Sequence, residues 1–439
     1  MNFGGGLQRT GLHDVHHGLT EIQHQLASHV SKSFLQISEP PLNFCKRLVT
    51  MLRLVNGPRF GRHATLQKLR KCVGQLSVRT KTASFAVSAF ANSESNIPQR
   101  LTDRPGRHRV AQPELLELIT WGRKLAEKHV AYFSNLDGSP DLSNLSKELD
   151  WLVTDCIEEI EGTESGEMTQ NLRELVHDNK IRYVRLRWSL KEIKTVWTRR
   201  IHERVPLQYL TNTAHWRDIV VTVSSSVLIP RPETELLVEF AKAALSRNIN
   251  HHSYDVPSID GPWLDLGTGS GVLAISLAQE LHVPQTCRRS TVYAVDCSAK
   301  AIELAKYNAL RNGVQNSIEF LTGSWFEPID QSLRFAGILT NPPYIPTEVL
   351  ASLQPEVQLH EPHLALDGGS GSGTHHLAVI CAQIEKFLTP GGFFGVETHG
   401  HEQSQFVFNF LTRTEAFDEI RLREDYSGKI RFVTAFRKL

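Results

Sequence analysis

The chain has 439 residues, 40% of them hydrophobic, which predicts two or three domains with a substantial core. Its formal charge of +1 hides an asymmetry: residues 1–93 carry 12 Lys/Arg against 3 Asp/Glu, whereas the rest carries 36 against 44, an acidic body ill suited to a polyphosphate backbone. Six scattered cysteines without a C-x-x-C pair, and histidine pairs without ligand spacing, argue against a disulfide framework or zinc centre, and no apolar run reaches the roughly 18 residues of a membrane helix.

Residues 40–93 hold ten Lys/Arg and no Asp or Glu, interspersed with Ser, Thr, Ala and Leu. This is the composition of an organelle transit peptide; the other reading is a disordered basic arm for nucleic acid. The small-residue stretch Phe85-Ala86-Val87-Ser88-Ala89-Phe90-Ala91 is the expected place for processing. Initiation at Met51 would give a more typical targeting peptide than Met1. Residues 1–104 are therefore read as transit peptide and disordered leader.

Residues 105–203 are expected to form a small all-α domain. Leu115, Leu118, Trp121, Leu125 and Val130 recur at helical spacing, as do Leu149, Leu152, Val153, Cys156 and Ile157. The Lys/Arg-rich helical stretch 190–201 reads as a solvated face or partner contact. Residues 204–228 turn to β character and form a hairpin linker, with 216–223 expected as one strand.

Residues 229–439 open with Ile229-Pro230-Arg231-Pro232-Glu233-Thr234-Glu235, whose prolines and acids mark the start of a helix. From 262 onward strands and helices alternate, the pattern of an open α/β sheet. Strands are expected at 263–266, 291–296, 318–321, 335–340, 393–398, 420–424 and 431–436, and helices at 272–281, 299–310 and 374–388.

Gly267-Thr268-Gly269-Ser270-Gly271 turns the strand at 263–266 into a helix, and such a turn lets backbone approach a ligand. The spacing is G-x-G-x-G, and Asp265 lies inside the strand. A carboxylate there would repel a pyrophosphate and suit a cation. Asp296, ending the next strand, can accept from ribose hydroxyls. A nucleoside with a cationic amino-acid tail fits both acids, and S-adenosylmethionine is such a molecule.

The run at 335–340 reads as a buried strand ending in Asn341-Pro342-Pro343-Tyr344. Two prolines stop the pairing and stiffen the corner. The Asn341 side-chain oxygen and the Pro342 carbonyl can each accept a hydrogen bond from a poorly nucleophilic –NH2 while Tyr344 packs on the flat group carrying it.

Taken together, residues 265–271, Asp296, Asn341-Pro342-Pro343-Tyr344 and residues 229–235 resemble the HemK/PrmC family of protein-(glutamine-N5) methyltransferases, which act on peptide chain release factors. The resemblance covers roughly 105–437. His215-Trp216-Arg217-Asp218, Gly323-Ser324-Trp325-Phe326-Glu327-Pro328 and His360-Glu361-Pro362 followed by Leu366-Asp367-Gly368-Gly369 resemble its plant plastid-type branch.

The resemblance implies a class I S-adenosylmethionine-dependent methyltransferase: a Rossmann-like, seven-stranded, mostly parallel sheet behind an N-terminal helical substrate-recognition domain. It further implies that Asp265, Gly267, Thr268, Gly269, Ser270, Gly271, Asp296, Trp325 and Asn341 hold the cofactor. Asn341, Pro342, Pro343 and Tyr344 would bind the glutamine of a Gly-Gly-Gln loop, with Asn341, Pro342 and Tyr344 catalytic. Relatives often place Asp before the Trp, where this chain has Ser324. The expected partner is an organellar class I release factor, in the chloroplast, with no nucleic acid or membrane involved. Two alternatives stay open: an adenine amino-methyltransferase acting on nucleic acid, which shares the Asn-Pro-Pro-Tyr motif, and a non-catalytic adaptor.

Overall fold

The computed structural model describes residues 97–133, 140–161, 181–250, 261–281 and 291–439. The transit peptide, its processing segment and Met51 lie outside the described residues. Residues 97–104, assigned above to the disordered leader, are packed. Leu101 is fully buried and its N–H donates to Thr213 Oγ1 at 3.1 Å, and the buried Arg100 donates to the Val220 carbonyl and to Asp103. One leucine and one arginine carry no periodicity, so sequence patterning missed the segment.

The N-terminal domain is not all-α. Helices Gln112–Phe133, Leu142–Cys156 and Leu190–His202 pack with an antiparallel sheet of order β1-β3-β2, where β1 is His108–Ala111, β2 Ile157–Ile160 and β3 Tyr183–Leu186. Each strand has four residues and carries charge, too short for alternation to be read against a helix. Ile157, taken above as helical, begins β2. Both later helices start on side-chain caps: Asp141 accepts from Asn144 N, and Ser189 with Glu192 forms a reciprocal capping box. The fully buried Trp197 donates from Nε1 to the Gly122 carbonyl at 3.0 Å and ties two helices together.

The expected strand at 216–223 is in fact a turn and a strand. β4 (Thr213–Trp216) and β5 (Ile219–Thr222) pair antiparallel, with Arg217 in the left-handed region (φ 48°) between them. The hairpin is not a linker, because Trp216, Ile219 and Val221 are buried in one core with Leu237 and Val238. Asn308, fully buried, accepts from Thr222 N and donates to the carbonyls of Thr222 and Ser270, fastening the hairpin to the glycine turn.

The main sheet has seven strands: β6 (Trp263–Leu266), β7 (Val292–Asp296), β8 (Ile318–Thr322), β9 (Phe335–Thr340), β12 (Leu388–Glu397), β13 (Phe417–Glu424) and β14 (Ile430–Arg437). A separate parallel pair joins β10 (Ile345–Pro346) to β11 (Asp367–Gly369). The main order is β13-β14-β12-β9-β6-β7-β8, with β14 antiparallel to both its neighbours. This is the expected mostly parallel α/β sheet, and every residue of β6 and β9 is buried, as a strand covered on both faces requires. The chain runs β6-β7-β8 to one side and returns with β9 on the other, so the switch point lies between β6 and β9. Ligands bind beyond the carboxyl ends of strands at such a point. The predicted single helix 374–388 is two, His375–Cys381 and Ile384–Phe387. Gln383 N donates to Ile380 O and Lys386 N to Gln383 O, tighter i→i+3 bonds that break the run.

Candidate active site

Both sequence motifs emerge at this switch point. Asp265 on β6 lies opposite Leu339 of β9, and Leu266 opposite Thr340, so the glycine turn and the Asn341 corner leave adjacent strand ends. The Thr340 hydroxyl donates to the Leu266 carbonyl at 2.8 Å, locking the two exits together. Gly267 sits at φ 76°, and a Cβ there would lie 3.6 Å from the Trp325 ring and 3.9 Å from the Asn341 carbonyl. The turn, Trp325 and the corner therefore share one small space.

Asp265 is fully buried. Its Oδ2 accepts the Thr268 hydroxyl at 2.7 Å and the Ala274 N–H at 3.1 Å, holding the turn and the helix Val272–Glu280. Oδ1 is buried with no hydrogen-bond partner. Burial pushes the Asp265 carboxyl up to about 7, against the two bonds, and the nearby Asp296 adds to the rise. Asp296 accepts Gly269 N–H on Oδ2 and Ser298 N–H on Oδ1, each at 2.9 Å, and burial raises its pKa too. Ser270 is buried beneath the turn and Gly271 caps the following helix.

These residues fit a cationic nucleoside. An orphaned buried carboxylate oxygen calls for a cation or donor, each Asp296 oxygen keeps a second lone pair, and the position of a Cβ on Gly269 opens onto free space. Trp325, itself at φ 48°, lies against His376 with ring centroids 5.4 Å apart. Ser324 is exposed, and its N–H donates to Glu327 Oε2 at 3.3 Å.

At the corner, Pro342 is buried and Asn341, Pro343 and Tyr344 are partly so. Asn341 Nδ2 donates to Thr234 Oγ1 at 3.1 Å. Among the described residues neither Asn341 Oδ1 nor the Pro342 carbonyl accepts a hydrogen bond, so both acceptors named from the sequence are available. The Tyr344 hydroxyl donates to Glu397 Oε1 at 3.2 Å, and burial raises its pKa. Gln403 Nε2 donates to the Tyr344 carbonyl at 2.7 Å. The backbone of Tyr344 passes so close to Gly368 that a Cβ there would lie 2.6 Å from the Tyr344 carbonyl carbon, which explains a glycine in Leu366-Asp367-Gly368-Gly369.

The structure places the two motifs singled out from the sequence side by side and adds supports that the sequence did not mark. Thr234, Glu397 and Gln403 were not singled out, although a glutamate closing the apolar run Phe393-Phe394-Gly395-Val396 is a legible signal. Residues 229–235 also do more than start a helix, since Arg231 pairs with the buried Glu361 at 2.6 Å. A cleft of about 550 Å³ opens between the N-terminal and main domains, lined by Trp151, Arg200, Arg231, Glu356 and Glu361 among others. Arg200, from the stretch read above as solvated or as a partner contact, is buried and bonded to Glu148 and Glu356.

Residues 260–425 match the family model described as a methyltransferase domain. The chain is 40% identical over 255 residues to a release factor glutamine methyltransferase of Thermosynechococcus vestitus, covering 57% of this chain and 81% of the relative. It is 37% identical over 290 residues to the protein of that name from Synechocystis, covering 66% and 89%. It is 39% identical over 231 residues to another from Geobacter sulfurreducens, covering 53% and 73%.

Proposed function

Because the chain belongs to the release factor glutamine methyltransferase family, we propose that it methylates the side-chain amide nitrogen of the glutamine in the Gly-Gly-Gln loop of organellar class I peptide chain release factors. It is an S-adenosylmethionine-dependent methyltransferase. Asp265, Asp296, Trp325 and residues 267–271 would hold the cofactor, which supplies, when bound, an electrophilic methyl group on a sulfonium. Asn341 Oδ1 and the Pro342 carbonyl accept the two N–H bonds of the substrate amide, and Tyr344 packs on its plane. An amide nitrogen is a poor nucleophile because its lone pair is delocalised. Acceptors that bind its N–H groups more strongly as positive charge develops there favour the transition state over the ground state. Fixing the amide against the donor removes roughly 7–11 kcal/mol of barrier when alignment is good.

The observation that carries this reading is the common space shared by the Gly267 turn, Trp325 and the Asn341 carbonyl, with two unfilled acceptors at its edge. The experiment is incubation with labelled cofactor and either release factor, release factor with the loop glutamine replaced by alanine, or nucleic acid. Label on the intact release factor alone is the expected result. Label on nucleic acid would select the adenine-directed alternative, against which the acidic body already weighs.

The organellar setting rests on the acid-free basic stretch 40–93, and the plastid is preferred because His215-Trp216-Arg217-Asp218 and Gly323-Ser324-Trp325-Phe326-Glu327-Pro328 resemble the plant plastid-type branch. A fluorescent fusion to residues 1–104 should enter chloroplasts; retention in the cytosol or delivery to mitochondria would refute that placement.

A further inference from the structure

Glu397 ends β12 with 1% of its surface exposed. Its two carboxylate oxygens serve different partners. Oε2 accepts the Thr234 hydroxyl at 2.7 Å, and Oε1 accepts the Tyr344 hydroxyl at 3.2 Å. Thr234, 3% exposed, in turn accepts Nδ2–H of Asn341 at 3.1 Å. A hydroxyl has one proton to give, and an ionised carboxylate can only accept. The Thr234 proton therefore points at Glu397 and its lone pair at Asn341, which leaves Oδ1 as the end of the asparagine amide turned to the substrate.

We propose that Glu397 is the positioning residue of the substrate corner: through Thr234 it fixes which end of the Asn341 amide faces the substrate, and directly it fixes the Tyr344 ring. The inference rests on the glutamine-methylation reading above. The two ends of an asparagine amide are nearly the same size, so sterics do not choose between them and the hydrogen-bond partner does. A reversed Asn341 would set its own NH2 against the substrate NH2, donor against donor.

Protonating Glu397 would reverse the relay, because its O–H could then donate to Thr234 and free that hydroxyl to donate to Asn341 Oδ1. Burial lifts the Glu397 carboxyl to about 7, against Thr234, Tyr344 and Arg431, while Glu233 adds to the rise. Arg431, on β14, pairs with Asp425; Arg231 and Arg431 face Tyr344, and the His399 ring lies 6.0 Å from the Tyr344 ring. The reversal thus falls in an accessible pH range.

The test compares Glu397→Gln, Thr234→Val, Thr234→Ser and the double variant E397Q/T234V in the full chain, with cofactor and release factor. E397Q and T234V should lose about 10–100-fold in kcat, the scale seen when a partner orienting a functional side chain is removed, with cofactor affinity unchanged by calorimetry. T234S keeps the hydroxyl and should stay close to the parent. The double variant should lose no more than the worse single one. The parent should lose kcat as pH falls through about 7, and E397Q should lack that limb. In protein labelled with 15N-asparagine, the Asn341 side-chain amide signals should move in T234V and return in T234S, whether or not substrate turns over. Parent-like kcat in E397Q and T234V, T234S as impaired as T234V, or losses that multiply in the double variant would each overturn the proposal. Should E397Q not fold, the Thr234 pair decides by itself. A parent enzyme inert toward release factor would sink the functional reading instead, while the amide signals would still report the relay.

Discussion

Arg200 of the N-terminal domain and Glu356 of the main domain form an ion pair at 2.9 Å with 4% and 10% of their side chains exposed. Glu148 takes the other edge of the guanidinium, and Arg204, at φ 57°, closes on Glu356 from the second side. Arg200, Glu148 and Glu356 line the cleft between the domains, so the N-terminal domain is tied by charge to the segment that follows the corner.

Removing one member of a buried pair strands the others. Arg200→Ala should cost about 3–5 kcal/mol of stability, read by denaturant unfolding. Burial pushes the Glu356 carboxyl up, but Arg204 and Arg200 outweigh it and the net pKa is lowered. Its contribution is therefore present above the ordinary glutamate range and fades as pH falls through the lowered value. A variant as stable as the parent would show that the pair contributes nothing net.

Asn341→Ala removes an acceptor that acts on the reacting group. We expect kcat to drop by about 10²–10³ while cofactor binding is largely kept. Asp296→Ala should do the opposite, raising the cofactor Kd before it touches kcat, because Asp296 anchors the Gly269 N–H. Single-turnover rates beside calorimetric affinities separate the two; an Asn341→Ala enzyme at full rate would remove Asn341 from the chemistry.

Asp265, lifted to about 7 by burial, keeps its proton through a pH range where the unfolded chain has already lost it. Its contribution to folding stability therefore declines as pH rises from about 4 to about 7. A bound cation favours the ionised form, so cofactor binding near pH 6 should release a proton, and affinity should weaken as pH falls below about 7. Calorimetry in two buffers of different ionisation enthalpy measures that proton; identical heats in both would rule it out.

Asn308 satisfies the N–H and carbonyl of Thr222 and the carbonyl of Ser270 from a fully buried position. Asn308→Ala should cost about 1–3 kcal/mol for each backbone group left without a partner. A drop in thermal midpoint together with weaker cofactor binding is expected, since the glycine turn loses a support. Loss of stability with intact binding would confine its role to the hairpin.

The parts of the fold legible from sequence are those whose physics is local. β6 and β9 are buried on both faces, so they read as apolar runs; residues 267–271 and Asn341-Pro342-Pro343-Tyr344 carry their backbone constraints in glycine and proline themselves. β1, β2 and β3 escaped notice because a run of four residues broken by charge forms a strand only when a partner strand supplies the hydrogen bonds. Arg217 likewise ends β4 through a left-handed backbone that no glycine announces.

By itself, then, the sequence determined an acidic α/β body, a turn suited to a cationic nucleoside and a stiff corner bearing two acceptors. Tertiary structure alone decided how that corner is aimed. Thr234 lies 107 residues from Asn341 and 163 from Glu397, and only the folding of β12 beside β9 brings a buried carboxylate to the hydroxyl that turns the asparagine. Hydrogen-bond direction depends on which atoms meet in space, and periodicity along the chain carries no record of that.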